Sequence, residues 1–145
     1  MEDKYIYRGK LKWSNTGEYN LDWVFGNLVV ELKTNRHFIL DLSYYNADAK
    51  LKDVMLEVIP ETVGQCTGLK DKIGRLVFNG DIVRDCYKTK YLVKYNEEFF
   101  CFSFYIIENK QSIFEAGNLD TKAMVSFYKL EVIGNRFENK GLLKR

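Results

Sequence analysis

Hydrophobic positions along this chain fall mostly in short alternating runs, separated by polar breaks rich in Gly and Asn. Residues 4–8 (KYIYR) alternate and predict a short strand. Residues 13–21 are polar, contain Ser14-Asn15-Thr16-Gly17 and predict a turn. A long β-type run follows from Trp23 to Leu32, with an expected break at Gly26-Asn27. The polar stretch Lys33 to Arg36 separates it from a second run, His37 to Leu42, and the two predict a hairpin. Asp48 to Ile59 satisfies two periods. Leu51, Val54, Met55 and Val58 have helical spacing, while Val54, Leu56 and Val58 alternate like a strand. A loop followed by a strand is the preferred reading, and Pro60 ends either one.

Gln65 to Val83 is a turn cluster in which Gly68, Gly74 and Gly80 fall six residues apart. Leu76–Phe78 and Ile82–Tyr87 are short β runs, and Asn79-Gly80 between them is the strongest local hairpin signal in the chain. Tyr91 to Tyr95 and Phe99 to Ile107 come next, and the second (FFCFSFYII) reads as a buried central strand. Glu108-Asn109-Lys110 is a predicted turn and Ser112 to Ala116 a further strand. Met124 to Phe137 is the last β region, with an interruption at Gly134-Asn135, and Asn139 is placed to cap a closing helical turn over Gly141 to Leu143. Many short strands with regular turn signals predict a mainly β chain with few or no helices, built as a small barrel or packed antiparallel sheets. No linker or low-complexity tract divides it, so the expected organisation is one domain over residues 1–145.

Composition strengthens the β reading. Ten Tyr, ten Phe and two Trp stand beside a single Pro, and aromatic residues favour strands. The 22 basic and 20 acidic side chains leave a net charge of +2. That balance lacks the basic excess of a dedicated nucleic-acid binder, although a local patch survives the test. No apolar run approaches the roughly 18 residues of a membrane span, and MEDKYIYRGKLKW has no apolar signal core. No membrane partner is expected, and the expected location is the cytoplasm. Cys66, Cys86 and Cys101 are odd in number and lie in no CxxC, which predicts free thiols in a reducing compartment.

Candidate chemistry is sparse. His37 is the sole histidine, and no nucleophile motif accompanies it, so a structural or surface role is expected. The three cysteines with His37 lack the paired spacing of zinc ligands, and Cys101 in FFCFSF reads as a small core residue. Asp71, Asp81 and Asp85 lie close in sequence, but Asp71 sits in the charged turn Lys70-Asp71-Lys72, and Asp81, following Asn79-Gly80, is expected to accept backbone N–H groups, so both read as structural. Gly68 to Gly74 contains Lys70 and Lys72 but no GxxxxGK[ST], and it leads into a strand, so a phosphate loop is not expected. Tyr44, Tyr45, Tyr87, Tyr91 and Tyr95 accompany Lys88, Lys90 and Lys94. Interleaved aromatic and basic residues on a sheet are one way to hold single-stranded nucleic acid. No catalytic residue, metal ligand, cofactor or small-molecule substrate is expected.

The turn cluster also carries a family resemblance. Pro60-Glu61-Thr62-Val63-Gly64-Gln65-Cys66-Thr67-Gly68-Leu69-Lys70-Asp71-Lys72, continuing through Gly74 and Phe78-Asn79-Gly80-Asp81-Ile82-Val83, resembles the signature of the YopX family of phage and prophage proteins of Gram-positive bacteria. Leu130 to Asn139 is similar to the family's closing motif, and Arg8-Gly9-Lys10 and Trp23-Val24-Phe25-Gly26 also match. Cys66, Ile73, Asn79 and Lys140 depart from the usual residues, and residues 84–126 match no motif. The resemblance implies a mainly β fold with a barrel-like core in the C-terminal half, a homo-oligomer, and a bacterial host cell. It carries over no catalytic residue. The motif positions Thr67, Gly68, Leu69, Asp71, Gly74, Gly80, Asp81, Gly134 and Asn135 are expected to be structural. The expected function is a non-enzymatic binding or assembly module. The alternative is nucleic-acid binding through Tyr87, Lys88, Lys90, Tyr91, Lys94 and Tyr95.

Overall fold

A computed structural model describes residues 5–12, 23–41, 43, 48, 50–108, 112–115, 126 and 128–144. The predicted turn over residues 13–21 lies outside the described residues, as do Tyr44 and Tyr45. The described chain is mainly antiparallel β, and its contacts divide it into two compact units, Lys4–Gln65 and Cys66–Arg145.

In the first unit, β1 (Tyr7–Lys10), β2 (Trp23–Glu31), β3 (Arg36–Leu40) and β4 (Met55–Val58) pair in sequence order, and the start of β5 (Gly64–Lys70) joins the other side of β1. The β2–β3 hairpin forms as predicted, around a turn in which Asn35 takes the left-handed conformation (φ 56°). The expected break at Gly26-Asn27 does not occur, and β2 runs straight through it. Gly26 is needed for close approach: a Cβ there would fall on the Leu40 carbonyl. The ambiguous stretch resolves into a single helical turn, α1 (Leu51–Val54), followed directly by β4. Val54 is buried and its carbonyl accepts the Asp41 N–H (2.9 Å), so both spacings in the sequence are partly realised.

This sheet curls. Leu11 forms an isolated bridge with Val58, and the Ile59 N–H donates to the Lys10 carbonyl (2.8 Å). The closure is therefore partial, and it lies in the N-terminal unit. Val24, Ile39 and Val58 fill the interior, packed against Tyr7, Leu11, Leu28 and Leu56. On β4, Glu57 is clamped by Arg36 (2.9 Å) and Lys12 (3.1 Å). Arg36 above all, with Lys12, holds its carboxyl down to about 2 although burial pushes it upward.

In the second unit, the remainder of β5 pairs with β6 (Leu76–Phe78). A separate five-stranded sheet has the order β10 (Ser112–Glu115), β9 (Cys101–Ile106), β8 (Lys90–Asn96), β7 (Asp81–Arg84), β11 (Glu131–Asn135). Among the described residues it is open, with β10 and β11 at its edges, so the barrel-like core expected in the C-terminal half is not a closed barrel there. The expected Asn79-Gly80 hairpin is also corrected. Leu76–Phe78 pairs with β5, whereas Asp81–Arg84 pairs with β8 and β11. Asn79-Gly80 is a corner that carries the chain from one sheet to the other. Gly80 holds φ at 92° and donates its N–H to the Val93 carbonyl (2.8 Å), anchoring the corner on β8. Leu69, Val77, Val83, Tyr91, Val93, Phe104 and Leu130 form the core of this unit. The strand β11 continues through Gly134-Asn135 by means of a bulge after Val132.

Candidate functional site

The polar motif residues are drawn inward by the backbone. Asp71 begins a tight turn: one carboxylate oxygen accepts the N–H groups of Ile73 (3.0 Å) and Arg75 (2.8 Å). The other oxygen accepts the Val132 N–H (3.1 Å) and Arg75 Nε (3.2 Å). Burial pushes this carboxyl upward, but the N–H groups of Val132, Arg75 and Ile73, with the Arg75 charge, hold it below the ordinary aspartate value. One side chain thus fastens the 71–75 turn to β11.

The same turn is built a second time. Asp85 accepts the N–H groups of Tyr87 (2.8 Å) and Thr89 (2.9 Å), again two and four residues onward. In both turns the acid's own N–H donates to the carbonyl four residues on. In both, the fourth residue is left-handed: Gly74 at φ 87° and Lys88 at φ 72°. The free oxygen of Asp85 accepts the Tyr91 hydroxyl (2.8 Å). Burial and this bond raise the Tyr91 phenol well above its ordinary value.

Asp81, 1% exposed, accepts the Phe78 N–H (2.8 Å) across the corner. The Thr67 hydroxyl donates to the Val77 carbonyl (2.9 Å) and accepts the Leu69 N–H (3.1 Å), joining β5 to β6 beside Gly68 (φ 81°), while Leu69 points into the core. Asn135 accepts the N–H groups of Phe137 and Glu138 (both 3.0 Å). Asn139 precedes the closing 3-10 turn, Lys140–Leu143, yet its side chain does not cap that turn. It accepts the Asn135 N–H instead (3.1 Å), beside Gly134, where a Cβ would strike it.

His37 Nδ1 lies 2.9 Å from the Asn35 carbonyl, so the ring is tied to its own hairpin turn. All three cysteines are free thiols. Cys66 is the fully buried one, and Cys101, expected in the core, is only half-buried. Among the described residues no group of three or more His, Cys, Asp or Glu side chains is placed to hold a metal ion. Among the same residues no helix is long and apolar enough to cross a membrane.

The Tyr/Lys residues do not share one face. Strand alternation sends Tyr91, Val93 and Tyr95 to one side of β8, and Lys90, Leu92 and Lys94 to the other. Tyr91 is 3% exposed and belongs to the core, so it is removed from any stacking surface. Tyr95 packs edge-on against Phe102 (5.4 Å), and Tyr87 against Tyr128 (6.2 Å). Lys90 Nζ donates to the Leu142 carbonyl (3.2 Å). Lys88 and Lys94 are exposed.

Two features of the β8–β9 hairpin were not legible as site residues. The first is its tip. Residues 97–100 form the turn, the Asn96 side chain accepts the Glu98 N–H (2.9 Å), and Phe99 and Phe100 stand in solvent at 57% and 81% exposure. They were expected inside the central strand, which begins only at Cys101. The polar Asn96-Glu97-Glu98 run was the available signal for the turn. The second is a groove of about 470 Å³ on the Lys94 face, lined by Leu92, Lys94, Tyr105, Ile106, Ile107 and Leu143.

Comparison with curated proteins gives no match. The family model described as "YopX protein" matches residues 2–144, which takes in the clasped turns, the corner and the closing motif. The chain belongs to the YopX family.

Proposed function

We propose that this protein is a non-enzymatic binding and assembly module that self-associates through the tip of its β8–β9 hairpin. The observation that carries the reading is the pair Phe99 and Phe100, both exposed, with Phe100 held at φ 54°. A left-handed Phe is costly, and an exposed Phe side chain forgoes about 1.5–3 kcal/mol of burial. A partner that covers the tip recovers the burial term. Glu97 and Glu98 precede the pair in the same turn and are exposed. An exposed apolar pair at the end of a hairpin suits contact with the same patch on a second copy. A net charge of only +2 does not oppose association.

The clasped acids support the non-enzymatic part. Asp71 and Asp85 direct their oxygens at turn N–H groups rather than at a cleft, and Asp81 does the same across the corner. An accessory role in a phage or prophage, exercised in the bacterial cytoplasm, is part of this proposal and rests on family membership. Light scattering across a concentration series tests the self-association. A mass that rises with concentration supports it, and a strict monomer at high concentration refutes it.

A further inference from the structure

We propose that the groove on the outer face of β8 and β9 is a binding site for a small amphipathic anion, namely a single carboxylate on an unbranched apolar body. Its volume, about 470 Å³, lies within the range of about 300–1,000 Å³ typical of small-molecule sites. Its apolar walls are Leu92, Ile107, Leu143 and the Tyr105 ring, which set the apolar part of the ligand, while Ile106 borders the groove with its side chain packed against the core. Leu143 reaches the groove from the closing 3-10 turn, and Lys90 steadies that turn through the Leu142 carbonyl.

The head group follows from the polar atoms. Lys94 is the one charged residue among the described residues of the lining, and its side chain has no ion pair or hydrogen bond among the described residues. The Tyr105 hydroxyl likewise has no hydrogen-bond partner among them. Lys94 and Tyr105 come from adjacent strands and share one face by the register Leu92↔Tyr105. Together they offer one ammonium and one phenolic donor, which match one carboxylate. A phosphate dianion asks for a second cation, but the neighbouring Lys90 is already engaged. Among the described residues no acid lines the groove, so a cationic ligand finds no counter-charge among them.

The test is a methyl and amide NMR titration with decanoate below its aggregation threshold, run in parallel with decan-1-ol and decyltrimethylammonium. The expected result is saturable shifts at Leu92, Ile107 and Leu143. Decanoate should bind about fivefold more tightly than decan-1-ol, the scale of a partly exposed ion pair. Decyltrimethylammonium should be the weakest of the three. Lys94→Gln should abolish the decanoate advantage and leave decan-1-ol binding unchanged, while Lys94→Arg should retain it. Absence of binding, equal affinity for decanoate and decan-1-ol, or shifts centred elsewhere would overturn the proposal. So would groove signals that move with protein concentration alone, because the occupant would then be a second copy. The site does not depend on self-association, and Phe99→Ser/Phe100→Ser should bind decanoate unchanged.

Discussion

Replacing Asp71 by Asn changes little in shape and much in hydrogen bonding. The Asp71 side chain is 0% exposed, and it accepts three backbone N–H groups and Arg75 Nε. An amide presents one acceptor oxygen and one donor nitrogen. Whichever way it is turned, two of the four donors face an NH₂ group and lose their bond. A hydrogen bond to a charged group contributes about 1.5–3 kcal/mol net, so Asp71→Asn should cost about 3 kcal/mol or somewhat more. That is a large share of the roughly 5–15 kcal/mol that holds a domain folded. Urea unfolding followed by far-UV circular dichroism measures it, with an unchanged m value showing that the folded state is intact. The pH dependence adds a second check. The folded-state pKa of Asp71 is depressed. Its contribution is therefore present above the unfolded aspartate value, about 3.9, and is lost as pH falls through the folded one. The gap between the two proteins should accordingly be largest near neutrality and shrink below about pH 4. A difference under about 0.5 kcal/mol at pH 7, or one that does not change with pH, would refute the clasp.

Other substitutions probe other elements. Lys88→Gly should raise stability by about 0.5–1 kcal/mol, because it relieves a left-handed lysine in the turn where the equivalent residue is Gly74; equal or lower stability in urea counts against the repeated-turn account. Gly26→Ala should open the β2–β3 pairing, read as faster amide exchange at Leu28 and Val30; unchanged protection would show that the strands can part to admit a methyl group. The Glu57 carboxyl should titrate by NMR near its folded value of about 2, and Arg36→Gln should move the midpoint up toward the ordinary value of about 4.3. Tyr91→Phe should cost about 1–3 kcal/mol by leaving a buried Asp85 oxygen without its donor, and a neutral result would argue against that bond.

Much of the fold was legible because its signals are local. The β2–β3 hairpin, β10 and the left-handed glycines at 68, 74 and 80 follow from alternation and turn chemistry. The corrections share a different cause: which sheet a strand joins is decided by tertiary packing. Asn79-Gly80 has hairpin chemistry, yet its flanking strands diverge because Gly80 bonds to Val93 and Asp81 to Phe78. Gly26 resembles a breaker but serves close strand approach, which no one-dimensional pattern records. The turn roles of Asp71 and Asp81 could be anticipated from their neighbours, but the bond from Asp71 to Val132, 61 residues away, could not, nor could the turn at Asp85, which lies inside the predicted β run Ile82–Tyr87. Grouping tyrosines 91 and 95 with lysines 90 and 94 overlooked the two-residue alternation that separates them. The groove was hidden because Leu143 reaches it from a segment far from β8 in sequence.

The proposal that the exposed hairpin tip is an assembly contact can be tested on the native chain itself. Sedimentation velocity of the native chain beside Phe99→Ser/Phe100→Ser, over the same concentration range, tests it most directly. Both substitutions lie in an exposed turn, so the amide spectrum of the variant should match the native one outside residues 95–102. If the tip is the contact, the native sedimentation coefficient rises with concentration and the variant remains monomeric throughout. A folded variant that associates as the native chain does, or a native chain that stays monomeric, would contradict it.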